Sequence, residues 1–141
     1  MNISFETIKD QFTEEQSANI LKKYKTKVPI IIWEIHDDIK LDKRKFIVSQ
    51  DLTIGQFLYV IRKRCKISSE EGLFMFIHTP DDTVILAPNT GLVGMVYSTN
   101  SIGGFLRVSI SIPFIFLRDL IRKEEKMYRN FKIGLDEAAV L

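Results

Sequence analysis

Two dense apolar runs early in the chain predict a β-hairpin. Residues 30–33 read Ile-Ile-Ile-Trp directly after Pro29, a continuous run typical of a buried strand. Residues 45–48 form a shorter run of β-forming residues, and the aspartate pair at positions 37–38 predicts a turn between the two runs. We therefore expect the two runs to pair as neighbouring strands.

Between residues 53 and 64 the pattern changes to that of an amphipathic helix. Thr53 stands three residues before Gln56, the spacing of a capping box that satisfies two free N–H groups of a helix. The apolar positions that follow recur at i, i+3, i+4 and i+7, one face of a helix, and are Ile54, Phe57, Leu58 and Ile61. Basic residues at 62–64 complement the helix dipole. With the basic residues at 43–45, this region offers apolar and positively charged side chains suited to an apolar–acidic peptide.

A third strand is predicted at residues 73–77, where the chain is again continuously apolar. Phe76 lies in the middle of this run, so Phe76→Ala is expected to cost about 3–5 kcal/mol of stability. The Thr-Pro-Asp-Asp sequence at 79–82 predicts the turn that ends the strand.

The rest of the pattern completes an α+β domain. Residues 89–97 predict a short, glycine-weakened helix. Residues 106–112 alternate between apolar and polar, which predicts a final strand with one face in the core. Polar helices are predicted at 3–10 and 14–24. The expected architecture is a helix packed on a mixed sheet, with two helices before it.

Composition limits the possible classes of protein. A chain of 141 residues with 45% apolar and 27% charged residues suits one globular domain. A net charge of +2 is too small to indicate a nucleic-acid binder. The single cysteine, Cys65, excludes an internal disulfide framework, and neither a secretory signal nor a membrane-spanning run is present. A soluble, cytoplasmic protein is expected.

No catalytic constellation is recognisable. Cys65 follows three basic residues, but neither His36 nor His78 lies in a cysteine-hydrolase motif, so a partly buried structural cysteine is expected. Two histidines and one cysteine without ligand spacing do not indicate a metal site, and there is no phosphate-binding glycine loop. We expect no enzymatic activity, no cofactor and no metal.

Several segments resemble the autophagy-related ubiquitin-like modifiers of the GABARAP and light-chain-three family. The resemblance is carried by LDKRKFIVSQDLTIGQFLYVIRKR at 41–64 and KYKTKVPIII at 23–32, then by EEGLFMFI at 70–77, NTGLVGMVY at 89–97 and GFLRVSIS at 104–111. These segments follow the family's order over most of residues 12–111. The resemblance implies a ubiquitin-like β-grasp fold with two additional N-terminal helices.

The resemblance also implies a peptide-docking surface beside the second strand. Family members bind an extended peptide there, with an aromatic residue and an aliphatic residue three positions later in separate pockets. By position, the aromatic pocket would be lined by Ile20, Pro29, Ile47 and Phe105, with Lys45 at its rim. The aliphatic pocket would be lined by Phe46, Val48, Leu52, Phe57 and Val60. Acidic residues flanking the peptide would be attracted by Lys43, Arg44 and Arg64.

Each of these assignments has a structural alternative. Leu52, Phe57 and Val60 suit a plain core role equally well, and the basic cluster suits a solvated face. Strand alternation places Phe46 and Ile47 on opposite faces, so one of the two is expected to be exposed.

The C-terminal region departs from the family. Family members end, after processing, in a glycine that is joined to phosphatidylethanolamine, whereas the corresponding position here is Leu117. Gly134, followed by a leucine, is the remaining candidate for conjugation. The expected organisation is an N-terminal helical extension at 1–25, a ubiquitin-like domain at 26–112, and a helical or disordered C-terminal extension at 113–141.

Two functional readings remain open. In the first, the chain docks aromatic-x-x-aliphatic motifs of cargo receptors and autophagy factors and is conjugated to phosphatidylethanolamine on the autophagosome membrane by a processing protease and activating and conjugating enzymes. In the second, it is a peptide-binding interaction module that is never conjugated. A nucleic-acid partner is not expected in either.

Overall fold

The computed structural model describes residues 14–35, 39–67, 72–112 and 138–141. Within these ranges the chain forms three helices and six strands. In chain order they are α1 (Glu14–Lys23), β1 (Lys27–Ile35), β2 (Lys45–Ser49), α2 (Ile54–Cys65), β3 (Phe74–His78), β4 (Val84–Leu86), α3 (Val93–Asn100), β5 (Leu106–Ser111) and β6 (Ala138–Val140). The helix predicted at 3–10 lies outside the described residues.

The six strands form one mixed sheet in the order β4-β3-β5-β1-β2-β6. β1 and β2 pair as the predicted antiparallel hairpin, and β1 pairs with β5 in parallel at the centre. β3 is antiparallel to β4 and β5. Parallel neighbours need a long crossover connection, and here the chain between β1 and β5 contains α2. The arrangement confirms the predicted α+β class and is that of a β-grasp.

Local sequence explains where α2 begins and ends. The backbone N–H of Gln56 donates to Thr53 Oγ1 at 3.1 Å, and that of Thr53 donates to Gln56 Oε1 at 2.9 Å, which confirms the capping box. The helix ends at Cys65 and is capped by Lys66, which adopts a left-handed conformation with φ 56°. Its buried face is the predicted one with Cys65 added: Ile54, Phe57, Leu58, Ile61 and Cys65.

Both faces of the central strands are covered. All six residues of β5 are buried, and only one of its faces joins the core cluster, as the alternation predicted. Its apolar residues join the core cluster with α2, while α1 packs against the adjacent β1. Even Arg107 on the other face is fully buried. The alternation predicts which face of β5 joins the core cluster, but it does not predict that the polar face is buried as well.

The β3 region departs from the sequence-based expectation. The buried residues of this strand are Met75 and Ile77, and Phe76 is only half-buried on the opposite face. The prediction that Phe76 is a central core residue is therefore wrong, because the continuous apolar run does not reveal which face packs on α2. β4, which pairs with β3 through Val84–Leu86, was not predicted at all.

The chain returns to the sheet at its last described segment. Ala138–Val140 form β6, which pairs in parallel with β2. The expectation that residues 113–141 are helical or disordered is therefore wrong for these three residues. Two alanines and a valine carry little strand signal, so their conformation comes from the main-chain groups of β2.

Candidate functional site

The outer edge of β2 can accept another strand. In the described chain this edge pairs with β6 in the register Lys45 with Ala138, Phe46 with Ala139 and Ile47 with Val140. The N–H of Leu141 continues the ladder by donating to the carbonyl oxygen of Ile47 at 2.9 Å. A segment in this position aligns its main chain with β2 and its side chains with both faces of the sheet.

The structure brings the predicted aliphatic-pocket residues close together on the α2 side of β2. Phe46, Val48 and Phe57 are fully buried in the core cluster, and Leu52 packs against it. The rings of Phe46 and Phe57 meet edge to face, with centroids 5.7 Å apart. Val60 is half-buried one helical turn after Phe57. The structure thus shows core packing for these residues, and their role in lining a pocket stays a prediction.

The predicted aromatic-pocket residues lie on the other side of β2, from different elements. Pro29 on β1 is the direct partner of Ile47 across the hairpin, and both are buried. Phe105 directly precedes β5, which pairs with β1, and is fully buried. Ile20 is half-buried on α1, the helix that packs against β1. Lys45, partly exposed, begins the strand at the same edge.

The expectation that either Phe46 or Ile47 is exposed is wrong. Phe46 is 0% exposed and Ile47 is 5% exposed. They do point to opposite faces, since Phe46 belongs to the core cluster and Ile47 does not. Both are buried because each face of the β1–β2 hairpin is covered, and strand alternation alone cannot show that coverage.

The basic residues near β2 do not form one uniform charged patch. Arg44 is buried, and its Nη1 donates to the carbonyl oxygen of Ile32 at 3.4 Å. Burial lowers the pKa of its guanidinium to about 9. The expectation that Arg44 attracts acidic peptide residues at the surface is therefore wrong. Lys43 and Lys45 remain partly exposed.

Arg64 is held near β2 by two contacts. Its Nη2 forms an ion pair with Asp42 at 3.1 Å, and its guanidinium lies over the ring of Phe46, 5.7 Å from the centroid. The carboxylate of Asp42 thus offsets part of the charge that Arg64 would present to an acidic partner.

Sequence reasoning missed Lys27, which also faces this edge. Its Nζ donates to the main-chain oxygen of Leu141. Lys27 is the partner of Ser49 at the end of the β1–β2 hairpin, so its side chain can reach past the end of β2. The strand pairing places it there, and no motif marks it in the sequence.

The side chains considered for catalysis, Cys65 and His78, lie in largely buried positions. Cys65 is buried, and burial raises the pKa of its thiol to about 11, which keeps the thiol in its neutral form. His78 lies on β3 beside the hydroxyl of Ser109, and burial together with Arg107 lowers its pKa to about 4.

Among the described residues there is no group of three side chains that could hold a metal ion. Nor does any helix in these ranges have the length and apolar character to cross a membrane. Gly134 lies outside the described residues.

These features define a ubiquitin-like β-grasp protein with a strand-accepting edge at β2. Residues 13–116 match the model of the family described as "Autophagy protein Atg8 ubiquitin like". The chain belongs to this family of ubiquitin-like modifiers. The expected resemblance and fold are both confirmed.

Individual relatives agree with this assignment. The chain is 37% identical over 127 residues to autophagy-related protein 8 of Lodderomyces elongisporus, covering 88% of this chain and 83% of that protein. It is 39% identical over 110 residues to autophagy-related protein 8 of Schizosaccharomyces pombe, covering 73% of this chain and 87% of that protein. The crystal structure of Trypanosoma brucei ATG8 superposes with a TM-score of 0.61 at 31% identity, covering 78% of this chain and 95% of that one.

Proposed function

We propose that this chain is an autophagy adaptor that binds extended aromatic-x-x-aliphatic peptides along the outer edge of β2. The observation that carries the proposal is the pairing of Ala138–Val140 with this edge. The main-chain groups of this edge are therefore placed to pair with a parallel strand. An added strand gains affinity from main-chain bonds and specificity from side-chain pockets.

The spacing of the peptide motif agrees with the two sides of β2. Residues three apart in a strand point to opposite faces. The candidate aliphatic pocket around Phe46 and Val48 lies on the α2 face, and the candidate aromatic pocket around Pro29 and Ile47 lies on the other. A peptide paired along β2 would place its aromatic and aliphatic residues in separate pockets without bending.

Charge at the edge supports an acidic flank on the peptide. Lys43 and Lys45 are partly exposed at the start of β2, and Lys27 faces its far end. Complementary charge of this kind mainly accelerates association and selects partners. The proposed partners are cargo receptors and autophagy factors that carry such motifs.

Conjugation to phosphatidylethanolamine forms the second part of the proposal. It requires a free glycine, which only cleavage after Gly134 would supply among the residues beyond Gly104. Processing, activating and conjugating enzymes would act on that end and move the chain from the cytoplasm to the autophagosome membrane. The competing reading is an interaction module that is never conjugated, which is favoured by the incorporation of Ala138–Val140 into the sheet.

Calorimetry tests the docking proposal directly. An acidic peptide with a tryptophan-x-x-leucine core is titrated into the full chain and into a chain shortened after Glu137, each checked for folding by its melting curve. Lys45→Glu should weaken binding several-fold and reduce its dependence on salt, because a rim charge is reversed. Lys63→Glu is the matched control, since Lys63 is exposed on α2, away from that helix's buried face.

Two results would contradict the proposal. One is the absence of heat from both folded chains over the micromolar to millimolar range. The other is an equal effect of Lys45→Glu and Lys63→Glu, which would mean that the peptide responds to net charge and does not bind at β2.

A further inference from the structure

We propose that Ala138–Leu141 act as an internal ligand of the β2 edge, which an external peptide must displace. This rests on the proposed docking function, because the internal segment occupies the same main-chain groups. β6 pairs with β2 in parallel, and Leu141 extends the pairing by one hydrogen bond to Ile47.

The side chains of this segment alternate between buried and exposed positions, as in a strand that packs on one face. Ala139 is 9% exposed and belongs to the core cluster, and Leu141 packs against the same cluster. Val140, between them, is 49% exposed. The segment therefore has one inward face, shared by residues 139 and 141, on the α2 side of the sheet.

The register places Leu141 at the aliphatic position. It packs against the cluster that contains Phe46, Val48 and Phe57. Three residues earlier stands Ala138, the partner of Lys45, on the opposite face. Ala138-x-x-Leu141 thus has the spacing of an aromatic-x-x-aliphatic motif with alanine at the aromatic position.

The sequence before β6 strengthens the likeness to an acidic peptide. Asp136 and Glu137 directly precede Ala138, where acidic residues flank the peptides that we propose as partners. At the other end, Lys27 donates to the main-chain oxygen of Leu141, a contact that a bound peptide could also make. The segment and the proposed ligands share the same order. Acidic residues come first, then the first anchor position, then two residues, and then an aliphatic anchor.

The internal ligand should be weak by itself. A methyl group at Ala138 buries far less apolar area than an indole or phenyl ring would, so the aromatic position contributes little. Tethering offsets this weakness, because an attached segment competes at an effective concentration on the order of 1 mM. A site occupied for most of the time by such a segment would lower the apparent affinity of an external peptide by about three- to ten-fold.

Substitutions at two adjacent positions distinguish a segment paired with β2 from one that is released. Ala139→Asp places a carboxylate against the core cluster and should release the segment, because a buried unpaired charge is unfavourable. Val140→Asp makes the same change at the exposed neighbouring position and should leave the segment seated. The full chain, both variants and the chain shortened after Glu137 are titrated with the acidic tryptophan-x-x-leucine peptide. Amide hydrogen exchange reports the Leu141 N–H in each full-length protein.

The expected result is a three- to ten-fold higher affinity for Ala139→Asp and for the shortened chain, with Val140→Asp close to the unmodified chain. Loss of protection at the Leu141 amide should accompany the gain only in Ala139→Asp. Equal affinity in all four proteins would overturn the internal ligand and leave the docking function standing. A dimer in light scattering that Ala139→Asp dissolves would also overturn it, since the segment would then come from a second copy. If none of the four proteins binds the peptide, the docking function is overturned, and so is the proposed competition by the internal segment.

Discussion

The hydroxyl of Ser17 occupies the space that a side chain at Gly104 would need. A β carbon at position 104 would lie 1.8 Å from Ser17 Oγ, and Gly104 has a φ of +84°. Ser17 Oγ donates to the carbonyl oxygen of Gly103 at 3.1 Å, and Tyr97 Oη donates to that of Gly104 at 2.6 Å. This glycine therefore allows α1 to close over the turn that leads into β5.

Gly104→Ala should destabilise the fold. The substitution combines an unfavourable φ with a steric clash, so we expect a loss of about 1–3 kcal/mol, measured by urea unfolding. Gly55→Ala is the control. Its β carbon would lie 3.2 Å from the carbonyl oxygen of Asn89, without a positive φ, and alanine favours the helix. No loss of stability in Gly104→Ala would show that the Ser17 contact does not restrict position 104.

Ile77 and Phe76 should differ in their contribution to stability, in the opposite order to their sizes. Ile77 is 1% exposed in the core, so Ile77→Ala should cost about 2–5 kcal/mol. Phe76 is half-buried and meets the ring of Phe74 edge to face at 6.4 Å, so Phe76→Ala should cost about 1–2 kcal/mol. Chemical denaturation of both variants measures the difference. A larger loss for Phe76→Ala would mean that the faces of β3 are assigned the wrong way round.

Stability should fall as the pH is lowered from about 6.5 to about 4, in part because of His78. Burial and the positive charge of Arg107 lower the pKa of His78 from 6.5 to about 4, while Asp82 acts in the opposite direction. The neutral ring therefore stabilises the fold fully above pH 6.5, and that contribution is lost as the pH falls toward the folded-state pKa. Its size is up to about 3 kcal/mol.

His78→Gln should flatten this part of the pH profile. Glutamine keeps a polar group near the Ser109 hydroxyl but does not titrate. Unfolding is measured from pH 7 to pH 4 for both proteins, and their difference isolates the histidine from the carboxylates. An unchanged slope in His78→Gln would contradict the assignment of the depressed pKa to this residue.

Conjugation should depend on exposure of Gly134. A chain whose last residue is Leu141 should form no adduct with phosphatidylethanolamine, because a branched side chain at that end blocks a narrow activating cleft. A chain that ends at Gly134 should form the adduct, since glycine has no side chain to obstruct it. That shortening also removes Ala138–Val140 from the edge of β2.

Reconstitution with the activating and conjugating enzymes tests this prediction. The matched control is a chain that ends at position 134 and carries Gly134→Ala. Adduct on the chain ending at Leu141 would refute the glycine requirement. No adduct on the chain ending at Gly134, in enzymes that modify a known family member, would favour the module that is never conjugated.

The residues of the proposed docking surface could be named from the sequence, but their exposure could not. The family resemblance identified Phe46, Ile47 and Lys45 by position, and the hairpin places them at one edge. Whether a residue lies in the core, a pocket or solvent depends on elements that pack against it from distant parts of the chain. Arg44 illustrates this, because it stands in a run of basic residues and is nevertheless buried.

What the sequence determined by itself rests on interactions within a few residues. The Thr53 capping box and the apolar face of α2 involve near neighbours, so their residue types are sufficient to predict them. The tertiary structure alone decided the burial of both Phe46 and Ile47, the half-buried position of Phe76 and the attachment of Ala138–Val140 to β2. In the last case the local side chains carry almost no preference. Pairing with the main-chain groups of β2, far away in the sequence, selects the extended conformation.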